Sequence, residues 1–321
     1  MNRVLKIILI LIFTTMVLIM RESIINPPST LHIKYVHYDE FEKLGYQSSD
    51  LKILQTFMSK IQLEEIINKQ ISREVLFSYL KYRTFIFDDI EDYEKIRTTK
   101  YVTHQAALNI KHHPYMMSQF YKKTRDAINL NNTLTLVNKN YALKKDYVPS
   151  DLVYTKDINM IIKNDFSRNR LKKSAYLALK TLFEAAEKEN LYLYLSNGYR
   201  SYEKQEKIYH HYKLTIGNAD FFSARAGHSE HQTGLAVDIT CKEVDFQLVQ
   251  RFANTKEGQY VKNNAHRYGF IIRYPKDKEN THGYHYEPWH LRYVGTKAAT
   301  IIHQKNLTLE EYLINYTVMP I

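Results

Sequence analysis

The chain has one cysteine, Cys241, among 321 residues. No intramolecular disulfide can form, so the fold must rest on a hydrophobic core, and any metal site must draw on His, Asp or Glu. No internal repeat or low-complexity tract is visible, and no nucleic-acid-binding fingerprint. The basic excess, 45 Lys and Arg against 34 Asp and Glu for a formal charge of +11, is therefore no sign by itself of a DNA or RNA partner. It is spread over a mixed surface and suits several polyanionic neighbours, among them anionic lipid and the phosphate-rich polymers of a cell wall. The membrane segment expected below argues further against nucleic acid. A hydrophobic content of 44% and this length allow one catalytic domain of ordinary size plus a smaller accessory region.

Long apolar runs are also scarce, with one exception at the N-terminus. Asn2-Arg3 precede a run from Val4 to Met20 that is broken only by Lys6 and the pair Thr14-Thr15, and Arg21 closes it. The uninterrupted part after Lys6 is about 14 residues, short of the roughly 20 of a straight spanning helix, although Lys6 can snorkel and extend it. No small-x-small cleavage site precedes Pro27-Pro28, and no cysteine nearby offers a lipidation site. These features favour an uncleaved signal anchor over residues 1–21, with a cleaved signal peptide as the alternative. By the positive-inside rule everything after Arg21 then lies outside the cytoplasm. Residues 22–38, with two prolines and little periodicity, read as a stalk.

Residues 39–146 read as a mainly helical accessory region. Apolar residues recur at spacings of three and four over residues 49–60, 63–70 and 71–82. Its aromatic and charged residues fit a wall-binding surface, and they fit an ordinary solvated helical bundle at least as well. Residues 134–139 alternate like a strand, and a catalytic domain is placed at 147–321. Within it the pattern predicts helices over 172–190, 201–212 and 296–304, and strands over 191–195, 235–239 and 270–273. Thr308 and Glu311 form a Thr-x-x-Glu capping box for a last short helix. Helices and short strands mix without regular alternation, so the fold class is α+β, a small and mostly antiparallel sheet flanked by helices.

Three widely separated clusters concentrate residues with site chemistry. Ser229-Glu230-His231-Gln232-Thr233-Gly234 runs on to Asp238 and offers an imidazole and a carboxylate, with a glycine that lets the chain turn them together. Taken alone, the pair reads rather as a surface histidine and a capping aspartate. Tyr286-Glu287-Pro288-Trp289-His290-Leu291-Arg292 offers a second carboxylate and imidazole three residues apart, or else a strand with a core tryptophan and a satisfied histidine. A catalytic zinc takes three protein ligands, an open position for water and a carboxylate nearby for the proton, and His231, Asp238, His290 and Glu287 fill those places. The third cluster, Ser196-Asn197-Gly198-Tyr199-Arg200-Ser201, lies between a strand and a helix. Arg200 there suits either an oxyanion-stabilising cation or a salt-bridged arginine at a helix start.

Together these clusters resemble the zinc D,D-carboxypeptidases of the VanY type and the related L,D-carboxypeptidases of bacterial peptidoglycan. The resemblance runs from about Tyr147 to the C-terminus. It also includes Gln205, Tyr268-Gly269-Phe270, Arg273-Tyr274-Pro275 and Arg292-Tyr293-Val294-Gly295. It implies that one zinc ion is held by His231, Asp238 and His290, that Glu287 is the general base and acid, and that Arg200 stabilises the transition state. Gln205, Ser229, Tyr274 and Trp289 would line the pocket for the terminal D-amino acid. Two places depart from the family pattern: Ala226-Gly227-His228 stands where Pro-Gly is common, and Thr281-His282-Gly283 where Thr-Gly is usual. With His285, these leave His228 and His282 as competing metal candidates behind His231 and His290. The expected substrate is the D-alanine end of a wall stem peptide. The alternatives are an L,D-carboxypeptidase on tetrapeptide stems, a cross-link endopeptidase, or a non-catalytic wall-binding module. Cys241 is expected as a small buried hydrophobe rather than a ligand.

Overall fold

Residues 38–319 are described by a computed structural model. The anchor expected at 1–21, and the stalk as far as residue 37, lie outside the described residues. Among the described residues no helix is long and apolar enough to cross a membrane. The chain divides into two units, one ending at Ser78 and the other beginning at Tyr79.

The first unit is built from short helices: α1 (Tyr38–Lys43), α2 (Ser48–Leu54), α3 (Lys60–Asn68) and the start of α4 (Arg73–Leu80). They are shorter than the apolar periodicity predicts because local chemistry stops them. Ser59 starts α3 with a capping box to Gln62, which fixes a break before it, and Gln70 follows α3 at a φ of 52°, which no helix continues through. Leu51, Leu54, Ile66 and Leu76 are buried, and Arg73 forks onto Asp50 with Nε–Oδ2 at 2.7 Å and Nη2–Oδ1 at 3.0 Å.

The second unit opens with α5 (Ile90–Lys100) and α6 (His104–His112), neither of which the periodicity singled out. A short parallel pair follows, β1 (Arg125–Asp126) with β2 (Tyr141–Ala142). The strand expected at 134–139 is not formed. Its backbone instead turns, and the carbonyls of Thr133 and Thr135 accept from Nη2 of Arg292 at 2.8 and 2.7 Å, so side-chain bonds replace the ladder. The antiparallel hairpin β3 (Leu152–Tyr154) and β4 (Arg170–Lys172) then leads into α7 (Lys173–Glu187).

The rest of the unit carries the central sheet. In chain order come β5 (Tyr194–Asn197), α8 (Tyr202–Thr215), α9 (Ala219–Phe222), β6 (Ala236–Thr240), α10 (Lys256–Asn264), β7 (Phe270–Tyr274), α11 (Glu279–His282), β8 (Glu287–Tyr293), α12 (Thr296–Lys305) and α13 (Leu309–Tyr316). The sheet is antiparallel throughout, in the order β5-β6-β8-β7. Side chains alternate across it with period two. Leu195, Val237, Ile239, Trp289 and Leu291 enter a core with Leu179, Leu182 and Phe183 of α7, and Cys241 belongs to that core. Ile271, on the opposite alternation, enters a second core with α12, α13 and α6 that also takes in Leu136 and Tyr141. The expected capping box is present: Thr308 Oγ1 accepts from the Glu311 amide while Glu311 accepts from the Thr308 amide.

Candidate metal centre and active site

Register brings the first two clusters together. Asn197 pairs with Asp238 across β5 and β6, and Asp238 pairs with His290 across β6 and β8, so one row of the sheet holds three polar residues. His231 reaches the same place from a 3-10 turn, Glu230–Thr233, which ends at Gly234 with a φ of 69°. A Cβ at Gly234 would also stand 2.7 Å from Leu152, so the turn that delivers His231 depends on glycine twice over.

The donor atoms of His231, Asp238 and His290 all lie within 4.8 Å of one another, and all three residues are buried. His231 Nε2 is 3.2 Å from Asp238 Oδ2, and His290 Nδ1 is 3.0 Å from Asp238 Oδ1. His231 Nδ1 stands 2.6 Å from the Gly198 carbonyl, which only accepts, so the proton is on Nδ1 and Nε2 presents a lone pair. Burial, with the Arg200 charge, lowers the pKa of His231 and keeps the ring neutral, in part against the pull of Asp238. Burial alone would raise the Asp238 carboxyl, but His231 and His290 hold it well below the usual range. For His290 burial disfavours the cation, yet the bond to Asp238, the nearby Glu230 carboxylate and the charges of Asp238 and Glu287 outweigh it and push the group up to about 9. The cluster therefore attracts positive charge. Two imidazoles and a carboxylate, buried and convergent, fit the donor set of a zinc ion.

Glu287 begins β8 opposite Tyr274, where the β7–β8 register is irregular. Its Oε2 lies 3.8 Å from His290 Nδ1, at the edge of the cluster. Arg200 follows β5 and is held from two sides: Nη1 donates to Gln205 Oε1 at 2.8 Å, and Nη2 lies 3.6 Å from Asp238 Oδ2. Burial lowers its pKa, opposed by the charges of Asp238 and Glu287. These groups open onto a cavity of about 440 Å³, whose wall includes Gln205, Ser229, Tyr274 and Trp289. Gln205 spends its amide on the scaffold, donating to Ser223 Oγ and the Ala224 carbonyl at 3.2 and 2.6 Å while it accepts from Arg200. Tyr274 packs 5.0 Å from the His290 ring, and burial holds its phenol well above the usual pKa. Trp289 is both core and cavity wall.

The competing histidines lie apart from the cluster. His228 Nδ1 bonds the Asn138 carbonyl at 2.7 Å, and His282 Nε2 the Pro275 carbonyl at 3.1 Å. His285 sits instead beside Glu287, its Nε2 2.9 Å from Oε1.

Other contributors carry no signal of their own in the sequence. Asn197 Nδ2 donates to Asp238 Oδ2 at 3.1 Å, and the Arg200 amide donates to the His231 carbonyl at 3.2 Å, which ties the third cluster to the first. Glu230, within the first motif, is fully buried and accepts from Arg273 Nε and Arg292 Nη1 at 2.8 and 2.7 Å. Those two cations hold its carboxyl well below the usual range although burial works the other way. Its second oxygen faces His290 Nε2 at 3.9 Å, and neither atom has a hydrogen-bond partner. Arg273 in turn forks onto Glu310 of α13, at 2.9 and 2.7 Å.

Known proteins match the part of the chain that carries this site. Residues 168–296 match the family described as VanY, D-alanyl-D-alanine carboxypeptidase. The Bacillus subtilis protein YodJ is 48% identical over 186 residues, 57% of this chain and 68% of its own length. The bifunctional D-Ala-D-Ala dipeptidase and D-Ala-D-Ala carboxypeptidase VanXYC of Enterococcus gallinarum is 35% identical over 190 residues, 56% of this chain and 93% of its own. Among solved structures, the LdcB LD-carboxypeptidase is 46% identical with a TM-score of 0.57, covering 60% of this chain and 90% of that one. On its sequence, its fold and the residues gathered at its site, the chain belongs to the VanY family of D-alanyl-D-alanine carboxypeptidases.

Proposed function

We propose that the protein is a zinc-dependent D,D-carboxypeptidase that removes the terminal D-alanine from pentapeptide stems of peptidoglycan. The observation that carries this reading is the convergence of His231, Asp238 and His290 within 4.8 Å, with Oε2 of Glu287 beside them in the wall of the same cavity. His231 through Nε2, Asp238 through a carboxylate oxygen and His290 would hold one ion, which supplies Lewis acidity and a water acidified to a pKa of roughly 7. Glu287 takes the proton of the attacking water and delivers it to the leaving amine. Arg200, braced by Gln205, presents a fixed cation to the oxyanion that develops on the scissile carbonyl. Ser229, Tyr274 and Trp289 shape the space for the terminal residue, and Gln205 acts there through Arg200.

The extracytoplasmic placement is part of the same proposal and rests on the apolar run from Val4 to Met20. Likeness to the LdcB LD-carboxypeptidase favours a second reading, cleavage of the L-D bond of a tetrapeptide stem.

Release of D-alanine from pentapeptide and tetrapeptide stems, with and without a chelator and beside Glu287→Ala, tests both. Chelator-sensitive release from the pentapeptide, lost in the variant, supports the D,D reading, and release from the tetrapeptide alone moves the enzyme to the L,D class. Zinc-loaded protein that releases D-alanine from neither overturns the proposal and leaves a cross-link endopeptidase or a wall-binding module.

A further inference from the structure

A general base has to present one particular oxygen. A carboxylate at the end of a glutamate rotates about a broad, two-fold torsion, so something must choose which oxygen faces the reaction. In Glu287 the two oxygens have different neighbours. Oε2 looks toward the ligand cluster, 3.8 Å from His290 Nδ1, while Oε1 lies 2.9 Å from His285 Nε2, a hydrogen-bond separation.

His285 is itself held. Its backbone amide donates to the Phe221 carbonyl at 3.1 Å, and its ring lies 5.0 Å from Phe222 of α9, 6.0 Å from Phe221 and 5.7 Å from Trp289 of β8. Aromatic neighbours on two elements leave the imidazole little room to turn, and Trp289 is anchored in the main core. The chain thus fixes His285 first and sets Glu287 against it.

We infer that His285 is a positioning residue for the Glu287 carboxylate: it engages Oε1 and leaves Oε2 facing the ligand cluster and the substrate. This rests on the reading of Glu287 as the base. His285 needs no contact with the substrate for this role, and it lies outside the convergent group of His231, Asp238 and His290. A glutamine at this position carries an amide donor at comparable reach and preserves the contact without the imidazole.

The experiment uses the full-length protein loaded with one zinc per chain and measures steady-state D-alanine release for His285→Ala, His285→Gln and Glu287→Ala, with zinc content determined after gel filtration. His285→Ala is expected to lower kcat about 10- to 100-fold, with KM within about threefold and zinc content unchanged. His285→Gln should recover most of that loss, to within about fivefold of the parent. A kcat for His285→Ala within about twofold of the parent overturns the inference, as does a glutamine variant no better than the alanine one or zinc lost in step with kcat. The Glu287→Ala arm separates the two claims. If it is inactive while His285→Ala is unimpaired, only the role of His285 fails; if it keeps the parent kcat, the proposed function fails with it.

Discussion

Arg200 is a partly buried cation held by its neighbours, and its two anchors make different demands. Nη1 needs Gln205 and Nη2 needs Asp238, a fork that a lysine ammonium cannot span from one point. Arg200→Ala should lower kcat by about 10²- to 10³-fold, and Arg200→Lys should recover little of it. Full activity in either variant would show that the oxyanion is stabilised elsewhere. Asn197 acts one step further out, through its bond to Asp238. Asn197→Ala should weaken zinc binding about 10- to 100-fold in a chelator competition, and an unchanged affinity would leave that bond without a role in metal binding. His231, Asp238, His290 and Glu287 were legible in the sequence only through the resemblance that the three motifs carry together, since each motif alone also read as ordinary structure. Asn197, the Gly198 carbonyl and Glu230 were not, since an amide, a backbone oxygen and a carboxylate become site components only through strand register and turn geometry. His285 was noted only beside the rival candidates His228 and His282, and its partner Glu287 was not foreseen.

Elements were legible where a local pattern decides them. The amphipathic stripe of α7 and the capping box of α13 are examples, as is the Ser201 cap of α8, whose Oγ accepts from the Lys204 amide. Residues 134–139 misled because alternation marks a strand only if a neighbour offers a ladder, and here Arg292 takes the carbonyls. The contribution of α13 is the least visible beforehand, because Glu310 meets Arg273, 37 positions away, in a fully buried pair. Burial opposes ionisation of Glu310, but Arg273 and the bond from Asn138 lower its pKa on balance. A folded pKa below the unfolded value of about 4.3 contributes stability above that pH and loses it as the pH falls through the folded value. Glu310→Gln should therefore cost about 3–5 kcal/mol in urea unfolding at pH 7, since it leaves the buried guanidiniums of Arg273 and Arg292 to share the one carboxylate of Glu230, and should flatten the acid slope. A cost below about 1 kcal/mol would mean the pair adds no more than a surface bridge.

At the scale of the molecule, the second core and the buried charges behind His290 draw on chain well before Tyr147. Ala106, Met116, Leu136 and Tyr141 pack with Ile271, Ala299 and Leu313, and Asn138 donates to Glu310 at 3.0 Å. A fragment of residues 147–321 should thus lack a cooperative thermal transition, whereas one of residues 79–321 should melt as a unit and retain zinc. Equal melting of the two by circular dichroism would show that residues 79–146 are dispensable to the fold. Zinc that binds the native state alone should also raise the melting temperature with concentration, by about 2.7 kcal/mol of stability at a hundredfold excess over Kd.

The row Asn197, Asp238, His290 has a further consequence for heredity. Each residue is placed by its count along a strand, and neighbours one step away, Val237 and Ile239 beside Asp238, belong to the opposite face. A single codon inserted or deleted within β6 or β8 would turn the metal side chain into the core and a branched hydrocarbon into the cavity. Single exchanges around the site leave this register intact, so changes of length are expected only in the connections between strands.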